Sequence, residues 1–218
     1  MSTGTSLVRT MLLAGGVCSA GLAAPAALRA QAKLELVPFF ASYYALTNVA
    51  EFTDPGPPVI TYTERQTSAP GVGARLRYWT SPKLGIEGAV SYSWSGSRFA
   101  SDETSDVGSS GLPGTLVHAS GRVLYRPART NLHLMVGAGV VSRGGKTWDF
   151  DFIDQKTEFA AVLGFGVRAT VTPKLALEIG LEADLYQADP DGSDDGTYEP
   201  KFQTDLLVTI GIPFALAR

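Results

Sequence analysis

Hydrophobic and polar residues alternate along most of the chain, and the alternation is clearest around three short turns. Residues 80–88, TSPKLGIEG, are repeated at 172–180 as TPKLALEIG, and a degenerate copy occupies 126–137. Each copy is a polar or proline-containing turn followed by a run in which every second residue is apolar. This is the pattern of a hairpin turn that leads into a half-buried strand. The repeat therefore predicts three β-hairpins.

Eight strands follow when the alternation is extended outward from these turns. Six of them flank the turns, at 72–79, 84–95, 117–126, 132–140, 158–171 and 175–185. Two more lie at 34–46 and 201–214, and the phase of the first is ambiguous because only Glu35 marks a polar face. Four long connections rich in Gly, Ser, Asp and Pro alternate with the short turns, near 47–69, 96–114, 144–156 and 189–200. The prediction is an all-β, eight-stranded antiparallel up-and-down barrel with every long loop at one end.

The first 32 residues have the pattern of a secretory signal peptide. Arg9 is the basic residue, an apolar and small-residue stretch runs from Met11 to Ala27, and Ala30-Gln31-Ala32 is a small-x-small cleavage site. Cys18 is the single cysteine, and we interpret it as a bystander inside this segment, so the exported chain is expected to have no disulfide. We predict a signal peptide over residues 1–32 and a barrel domain over residues 33–218.

Removing the signal segment shifts the net charge of the chain to a more negative value. The whole chain has 18 basic and 21 acidic residues, and without Arg9 and Arg29 it has 16 basic and 21 acidic residues, a net charge of −5. This weak acidity argues against a nucleic-acid partner. No stretch after the signal approaches the roughly 20 apolar residues of a membrane helix. A membrane location would therefore require a closed barrel, because lipid cannot satisfy the edge of an open sheet.

The sizes of the residues indicate which face of the barrel meets lipid. One face of the predicted strands carries the large apolar residues, and the other carries glycine, serine, alanine and charges. Small and charged residues suit the crowded interior of a narrow membrane barrel, whereas a soluble lipocalin-like barrel holds its large apolar residues inside. Aromatic residues of the apolar face form two predicted interfacial girdles: Tyr78 and Tyr125 before short turns, and Tyr92, Trp94, Phe159 and Phe202 near the long loops.

With these features the chain resembles the small Gram-negative outer-membrane barrels of the OmpA/OmpX type. Residues 209–216, TIGIPFAL, look like the terminal recognition signal of that class, although the chain ends in Arg218 and Pro213 removes one ladder donor. The resemblance implies an integral protein of the cell outer membrane. We expect no peptidoglycan-binding domain after the barrel, because the chain stops there.

The same phase assignment predicts which charged residues point into the lumen. Five arginines and six carboxylates are expected there: Arg75, Arg77, Arg122, Arg126, Arg168, Glu87, Glu158, Glu178, Glu182, Asp184 and Asp205. The interior of an eight-stranded barrel is just wide enough for side chains, and buried charges need partners. We therefore predict an ion-pair network that plugs the lumen, with a small pore as the alternative.

Only one pair suggests hydrolytic chemistry. His118 and Ser120 share a strand face, an arrangement that faintly resembles the outer-membrane lipid A deacylases. A nucleophile needs a base within reach and an acid to orient that base. The next strand, 132–136, has no carboxylate, and the phase places His118 in the lumen. We assign no catalytic residue, and a lipid A-modifying enzyme remains an alternative.

The long loops carry three candidate contacts. Residues 189–196 hold four carboxylates that could ligate Ca²⁺, but they lack the spacing and the bidentate Glu of a calcium-binding hand, so a solvated acidic tip is expected. Residues 148–152, WDFDF, are expected to extend a hairpin above the membrane as an exposed edge that could recruit a partner strand. Four cations lie near the rim, where lipopolysaccharide phosphates would be: Arg98, Arg143, Lys146 and Lys156.

From these features we expect a monomeric, non-enzymatic outer-membrane barrel without cofactor or metal, with a structural or surface-interaction role through its long loops. The expected partners are outer-membrane lipid, lipopolysaccharide and, through the loops, an extracellular ligand. The alternatives are a small pore, a lipid A-modifying enzyme and a soluble lipocalin-like ligand-binding barrel.

Overall fold

A computed structural model describes residues 34–54, 58–101, 108–109, 113–148, 157–172, 175–188 and 201–217. The predicted signal peptide and the acidic segment 189–196 lie outside the described residues. Within them the chain forms thirteen strands and one short 3₁₀ helix, η1 (Lys146–Trp148). No helix in these ranges is long and apolar enough to cross a membrane.

The strands are numbered in chain order. They are β1 (Leu34–Ala45), β2 (Ala50–Asp54), β3 (Ile60–Gln66), β4 (Ala69–Trp79), β5 (Leu84–Ser93), β6 (Ser97–Ser101), β7 (Gly108–Ser109), β8 (Thr115–Tyr125), β9 (Leu132–Gly144), β10 (Thr157–Thr172), β11 (Leu175–Ala188), β12 (Lys201–Gly211) and β13 (Phe214–Ala217).

Nine of these strands form one antiparallel sheet that closes on itself. The order is β12-β11-β10-β9-β8-β5-β4-β1-β13, and β12 also pairs with β1. β13 continues along β1 where β12 ends, since Phe39 pairs with Gly211 and Leu36 with Phe214. Pro213 lies at this break, because proline has no N–H to give to the ladder. β12 and β13 thus make one interrupted strand, and the predicted eight-stranded up-and-down barrel is confirmed.

The two faces of the barrel follow the predicted alternation. Large apolar side chains are exposed on the outer wall, among them Phe159 at 87% and Phe202 at 64%, while charged side chains are buried inside. In β1, whose phase the sequence left open, Phe40 points outward and Val37, Phe39 and Tyr43 point inward. In this strand the face that points into the lumen is also apolar, apart from Glu35. The contrast between an apolar and a polar face is therefore missing, and hydrophobicity alone could not show which face meets lipid.

A second sheet, which the sequence did not reveal, forms within the first two long connections. β2, β3, β6 and β7 pair in that order as a four-stranded antiparallel sheet, here called the loop sheet. Its strands are only two to seven residues long and are surrounded by turn-forming residues. The alternation of apolar and polar residues was therefore too short to be recognised in the sequence. In the third connection the chain forms η1 at Lys146–Trp148, where an extended hairpin was predicted to start, and residues 149–152 lie outside the described ranges. We call this end of the barrel the loop end and the opposite end the turn end.

Candidate functional site

The lumen contains all eleven charged side chains that the sequence placed there. Nine are buried, and Arg126 and Arg168 are half-buried. Two further buried charges join them in the described residues, Glu35 and Arg143. The prediction of a charged lumen is therefore confirmed, with Glu35 and Arg143 as additions.

Arg77 is the centre of the network near the turn end, and it is fully buried. Its Nη2 lies 2.6 Å from the Glu87 carboxylate and 2.9 Å from that of Glu178. Its Nε donates a second hydrogen bond to Glu87 at 2.8 Å, so the guanidinium binds that carboxylate through two nitrogens. Glu35 lies 3.6 Å from Nη1. One guanidinium thus joins carboxylates from three different strands.

Three other arginines complete this network. Arg75 contacts Glu182 and lies 3.5 Å from Glu178. The remaining contacts are Arg122 to Glu182 at 2.6 Å, Arg168 to Glu35 at 2.8 Å and Arg168 to Glu178 at 3.1 Å. Four guanidinium groups therefore face four carboxylates: Arg75, Arg77, Arg122 and Arg168 with Glu35, Glu87, Glu178 and Glu182. Charge-assisted hydrogen bonds of this kind are the strong ones, and they fill the section of the lumen near the turn end.

Arg143 organises a second polar cluster near the loop end. Its guanidinium donates to Glu158 at 2.5 Å, to the Tyr186 hydroxyl at 2.5 Å and to the Gln66 amide oxygen at 3.2 Å. Tyr186 in turn donates to Asp205 at 2.5 Å. The expectation that Arg143 is available at the rim for lipopolysaccharide phosphates is therefore wrong. Residue 143 lies on the face of β9 that points into the lumen, so its side chain is buried there and pairs with Glu158.

His118 has an acidic partner that the sequence did not show. Its Nδ1 lies 2.7 Å from the carboxylate of Asp184, which reaches it from β11. His118 is buried in the lumen as predicted. Its Nε2 has no hydrogen-bond partner among the described residues, and the Ser120 hydroxyl accepts a hydrogen bond from Arg122 at 2.8 Å. The base and acid are therefore together, but the serine is not hydrogen-bonded to the base.

The loop sheet is fixed to the barrel by several hydrogen bonds. Arg65 donates from Nη2 to the carbonyl of Ala45 at 2.8 Å. The backbone N–H of Ser97 donates to the Thr147 hydroxyl at 3.1 Å, so η1 also contacts the sheet. The bond from Arg143 to Gln66 links the last residue of β3 to the lumen cluster. The loop sheet is thus docked on the barrel mouth.

Glu64 is a buried carboxylate at this junction. It is 4% exposed, and one of its carboxylate oxygens, Oε2, has no hydrogen-bond partner in the described residues. Burial raises its pKa to about 7, against the lowering effects of the Ser97 hydroxyl on β6 and the Arg143 guanidinium on β9. Glu64 therefore titrates near neutral pH while docked, because burial disfavours its charged form.

We expect docking of the loop sheet to weaken as pH rises. Because the docked carboxyl has a raised pKa, the stabilisation is fully present below the ordinary value of 4.5 and is lost as pH rises to about 7. The loss is on the order of 3 kcal/mol if Glu64 is solvated once undocked. A fluorophore attached through Thr53→Cys would report the docking. In the matched variant Glu64→Gln the side chain stays neutral, so docking should not depend on pH. If docking in this variant still weakens as pH rises, a group other than Glu64 is responsible for the dependence.

No group of three or more His, Cys, Asp or Glu side chains in the described part of the chain is arranged to hold a metal ion. The candidate calcium segment 189–196 lies outside these ranges.

A closed antiparallel barrel with a lipophilic outer wall, two aromatic girdles and a charged lumen defines a transmembrane β-barrel. A family model described as "Outer membrane protein beta-barrel domain" matches residues 10–212. The chain belongs to this family, and the protein is an outer-membrane β-barrel.

Solved structures of other small barrels are similar to this chain. Neisserial surface protein A is 11% identical, with a TM-score of 0.47 over 84% of this chain and 97% of that one. AlkL, determined in lipid bilayers, is 13% identical, with a TM-score of 0.49 over 89% and 96%. Ail of Yersinia pestis is 13% identical, with a TM-score of 0.41 over 83% and 97%. No curated protein matches the chain by sequence.

Proposed function

We propose that this outer-membrane barrel is non-enzymatic and acts at the cell surface through its loop end, in a structural or surface-interaction role. The observation that carries the proposal is the docked loop sheet. Its contacts with Ala45, Thr147 and Arg143 hold strands β3 and β6 of the first two long connections against the barrel. A preorganised surface binds a partner at a lower entropic cost than loops that must be ordered on binding. Exposed Arg98 and Lys146 at this end remain candidate contacts for lipopolysaccharide phosphates, whereas Lys156 lies outside the described residues.

The charged lumen supports this function over the small pore. Four arginines and four carboxylates fill the section near the turn end, and the cluster around Arg143 occupies the section near the loop end. Opening a water path would separate ion pairs that are already desolvated, which is costly. The lumen therefore supports a closed barrel.

The His118–Asp184 pair is the observation that favours the enzyme alternative. A hydrogen-bonded histidine and carboxylate are two parts of a hydrolytic site. Both side chains are buried, however, and Ser120 is engaged by Arg122. We therefore propose that this pair stabilises the lumen.

Planar-bilayer recordings of the purified protein are expected to show no regular conductance steps, because the ion pairs close the lumen. Replacing residues 47–68 by a short turn should leave the barrel folded, as judged by gel mobility with and without boiling. The native protein, reconstituted in lipid, is first screened for attachment to a panel of immobilised cell surfaces, glycans and proteins. The variant that lacks residues 47–68 should no longer attach to any ligand that the native protein binds.

Two results would contradict this proposal. Stable channel openings in the native protein would support the pore. A change in lipid A composition that depends on expression of the protein and disappears in His118→Ala would support the enzyme.

A further inference from the structure

The section of the lumen near the turn end carries one more positive than negative charge. Its charged side chains are Arg75, Arg77, Arg122, Arg126 and Arg168, with Glu35, Glu87, Glu178 and Glu182. The other lumen acids have partners nearer the loop end: Glu158 with Arg143, Asp184 with His118, and Asp205 with Tyr186. A charge buried without a partner is costly. The excess positive charge therefore favours a bound anion.

Arg126 is the arginine without a carboxylate of its own, because each of the other four binds one. In the described part of the chain its guanidinium makes no hydrogen bond or ion pair. It stacks on the Trp79 ring, 4.0 Å from the centroid, and its Nε is buried without a partner. The charges of Glu35 and Glu178 act on it, but Arg168 already binds both carboxylates, at 2.8 and 3.1 Å. Stacking thus orients the Arg126 guanidinium without neutralising it.

Two further buried N–H groups near Arg126 have no acceptor among the described residues. His133 is 1% exposed, and its Nε2 lies 3.5 Å from Nη2 of Arg77. Arginine can only donate, so Nε2 accepts and the ring proton is on Nδ1, which has no partner. The Nε of Arg168 is also buried without a partner, while its other two nitrogens bind Glu35. Three N–H donors are therefore left over.

The strand register brings these donors together. Arg126 follows the last residue of β8 and lies beside His133 of β9. His133 pairs with Gly166 of β10, and Arg168 is two residues further along the same face. A side chain at Gly166 would overlap the imidazole, so the glycine makes room for the ring. The donors thus lie on three neighbouring strands at one end of the lumen.

This end of the lumen is reached from the periplasm, because the short turns of bacterial outer-membrane barrels face that compartment. The Arg168 side chain is 21% exposed, and Arg126 is half-buried. A small ion can therefore reach both guanidinium groups. The ion pairs of Arg75, Arg77 and Arg122 close the lumen on the far side.

We propose that the turn end of the lumen binds one small monovalent anion of the size of chloride between Arg126, Arg168 and His133. One negative charge balances the excess, whereas a divalent anion would reverse the imbalance and be repelled by the four carboxylates. The interior of an eight-stranded barrel is just wide enough for side chains, so a bulky organic anion does not fit. Hydrogen bonds from guanidinium groups to an anion are charge-assisted and strong.

Bromide locates the site in the native protein. It is a spherical monovalent anion like chloride, and its anomalous scattering identifies it in crystals grown with sodium bromide in place of chloride. The expected result is one anomalous peak inside the lumen, within hydrogen-bonding reach of Arg126 and His133.

Binding in solution is measured by the broadening of the chloride NMR line with the purified protein in a non-ionic detergent. Sodium gluconate, whose anion is bulky, keeps the ionic strength constant. The native protein should broaden the line saturably, and bromide should reverse the broadening by competition. The variant Arg126→Gln should weaken the apparent affinity at least about tenfold, the factor expected for the loss of one hydrogen bond to a charged group.

The matched control is Arg129→Asn, which removes an exposed cation of the adjacent turn and should leave the broadening unchanged. Asparagine is chosen because Arg129 has a φ of 63°, and asparagine tolerates left-handed backbone. Gel mobility with and without boiling checks that both variants fold. Arg126→Gln should fold, because no carboxylate loses its partner. If it does not, the bromide position in the native protein decides.

Three results would overturn the proposal. One is broadening that does not saturate and is equal in the native protein and Arg126→Gln, which would be a general salt effect. Another is an equal loss of affinity in Arg126→Gln and Arg129→Asn, which would place the ion on the outer surface of the turns. The third is the absence of a bromide peak beside Arg126 and His133.

Discussion

Replacement of Arg77 by methionine is expected to lower the free energy of unfolding by about 3–5 kcal/mol, the cost of removing one partner of a buried ion pair. Arg77 is fully buried and binds Glu87 and Glu178 at 2.6 and 2.9 Å. Methionine fills a similar volume, so the loss comes from the two carboxylates that keep their charge in the lumen. Urea unfolding in detergent micelles, followed by tryptophan fluorescence and gel mobility, measures the change.

A compensating variant identifies the cause of this loss. Arg77→Met combined with Glu178→Gln removes one of the stranded charges and should recover part of the stability. Lys146→Met, at an exposed position of the loop end, is the control and should have an effect within about 0.5 kcal/mol. A double variant no more stable than Arg77→Met would mean that packing, and not charge, sets the cost.

Replacement of Arg143 by methionine is expected to release the loop sheet. The guanidinium joins Glu158, Tyr186 and Gln66, so its loss leaves the Glu158 carboxylate buried and breaks the link to β3. We expect a cost of about 3 kcal/mol. Limited trypsin cleavage after Arg65, which is exposed on β3, should become at least about tenfold faster, since opening the sheet exposes its backbone.

The barrel itself should survive this second change. The network around Arg77 lies nearer the turn end, and none of its side chains bonds to Arg143 in the described part of the chain. Boiling should therefore still alter the gel mobility of the variant. Gln66→Ala removes only the link between the sheet and the guanidinium and should accelerate cleavage without the larger loss of stability. If cleavage after Arg65 is unchanged in both variants, the loop sheet is held by its other contacts alone.

Strand positions and the lumen charges could be predicted from the sequence because both depend on local alternation. Residues two apart in a strand share a face. Once Arg75 is placed in the lumen, every second residue of β4 is therefore placed there as well. The size of the residues then distinguished a lipid-facing wall from a soluble barrel. These inferences need no knowledge of which strands face each other across the lumen.

Contacts across the lumen could not be predicted in the same way. His118 on β8 meets Asp184 on β11, and a search of the neighbouring strand alone found no carboxylate. Arg143 was placed at the rim because it lies close to a long connection, although its phase on β9 turns it inward. The loop sheet was missed because its strands are short and embedded in polar residues. In each case the deciding information is the curvature of the sheet and the packing of the loops, which a strand pattern does not contain.

The closure of the barrel through β1 has a consequence for assembly in the cell. Leu34 pairs with Ala217 and Leu36 with Phe214, so the first strand has its final neighbours only when the last part of the chain is present. Contacts between residues so distant in sequence form slowly, because the entropy of closing the chain must be lost first. Until then the exposed outer-wall residues face water and unpaired strand edges are open, which favours aggregation. The chain is therefore expected to depend on a holding chaperone during its passage to the membrane and to insert as one cooperative unit.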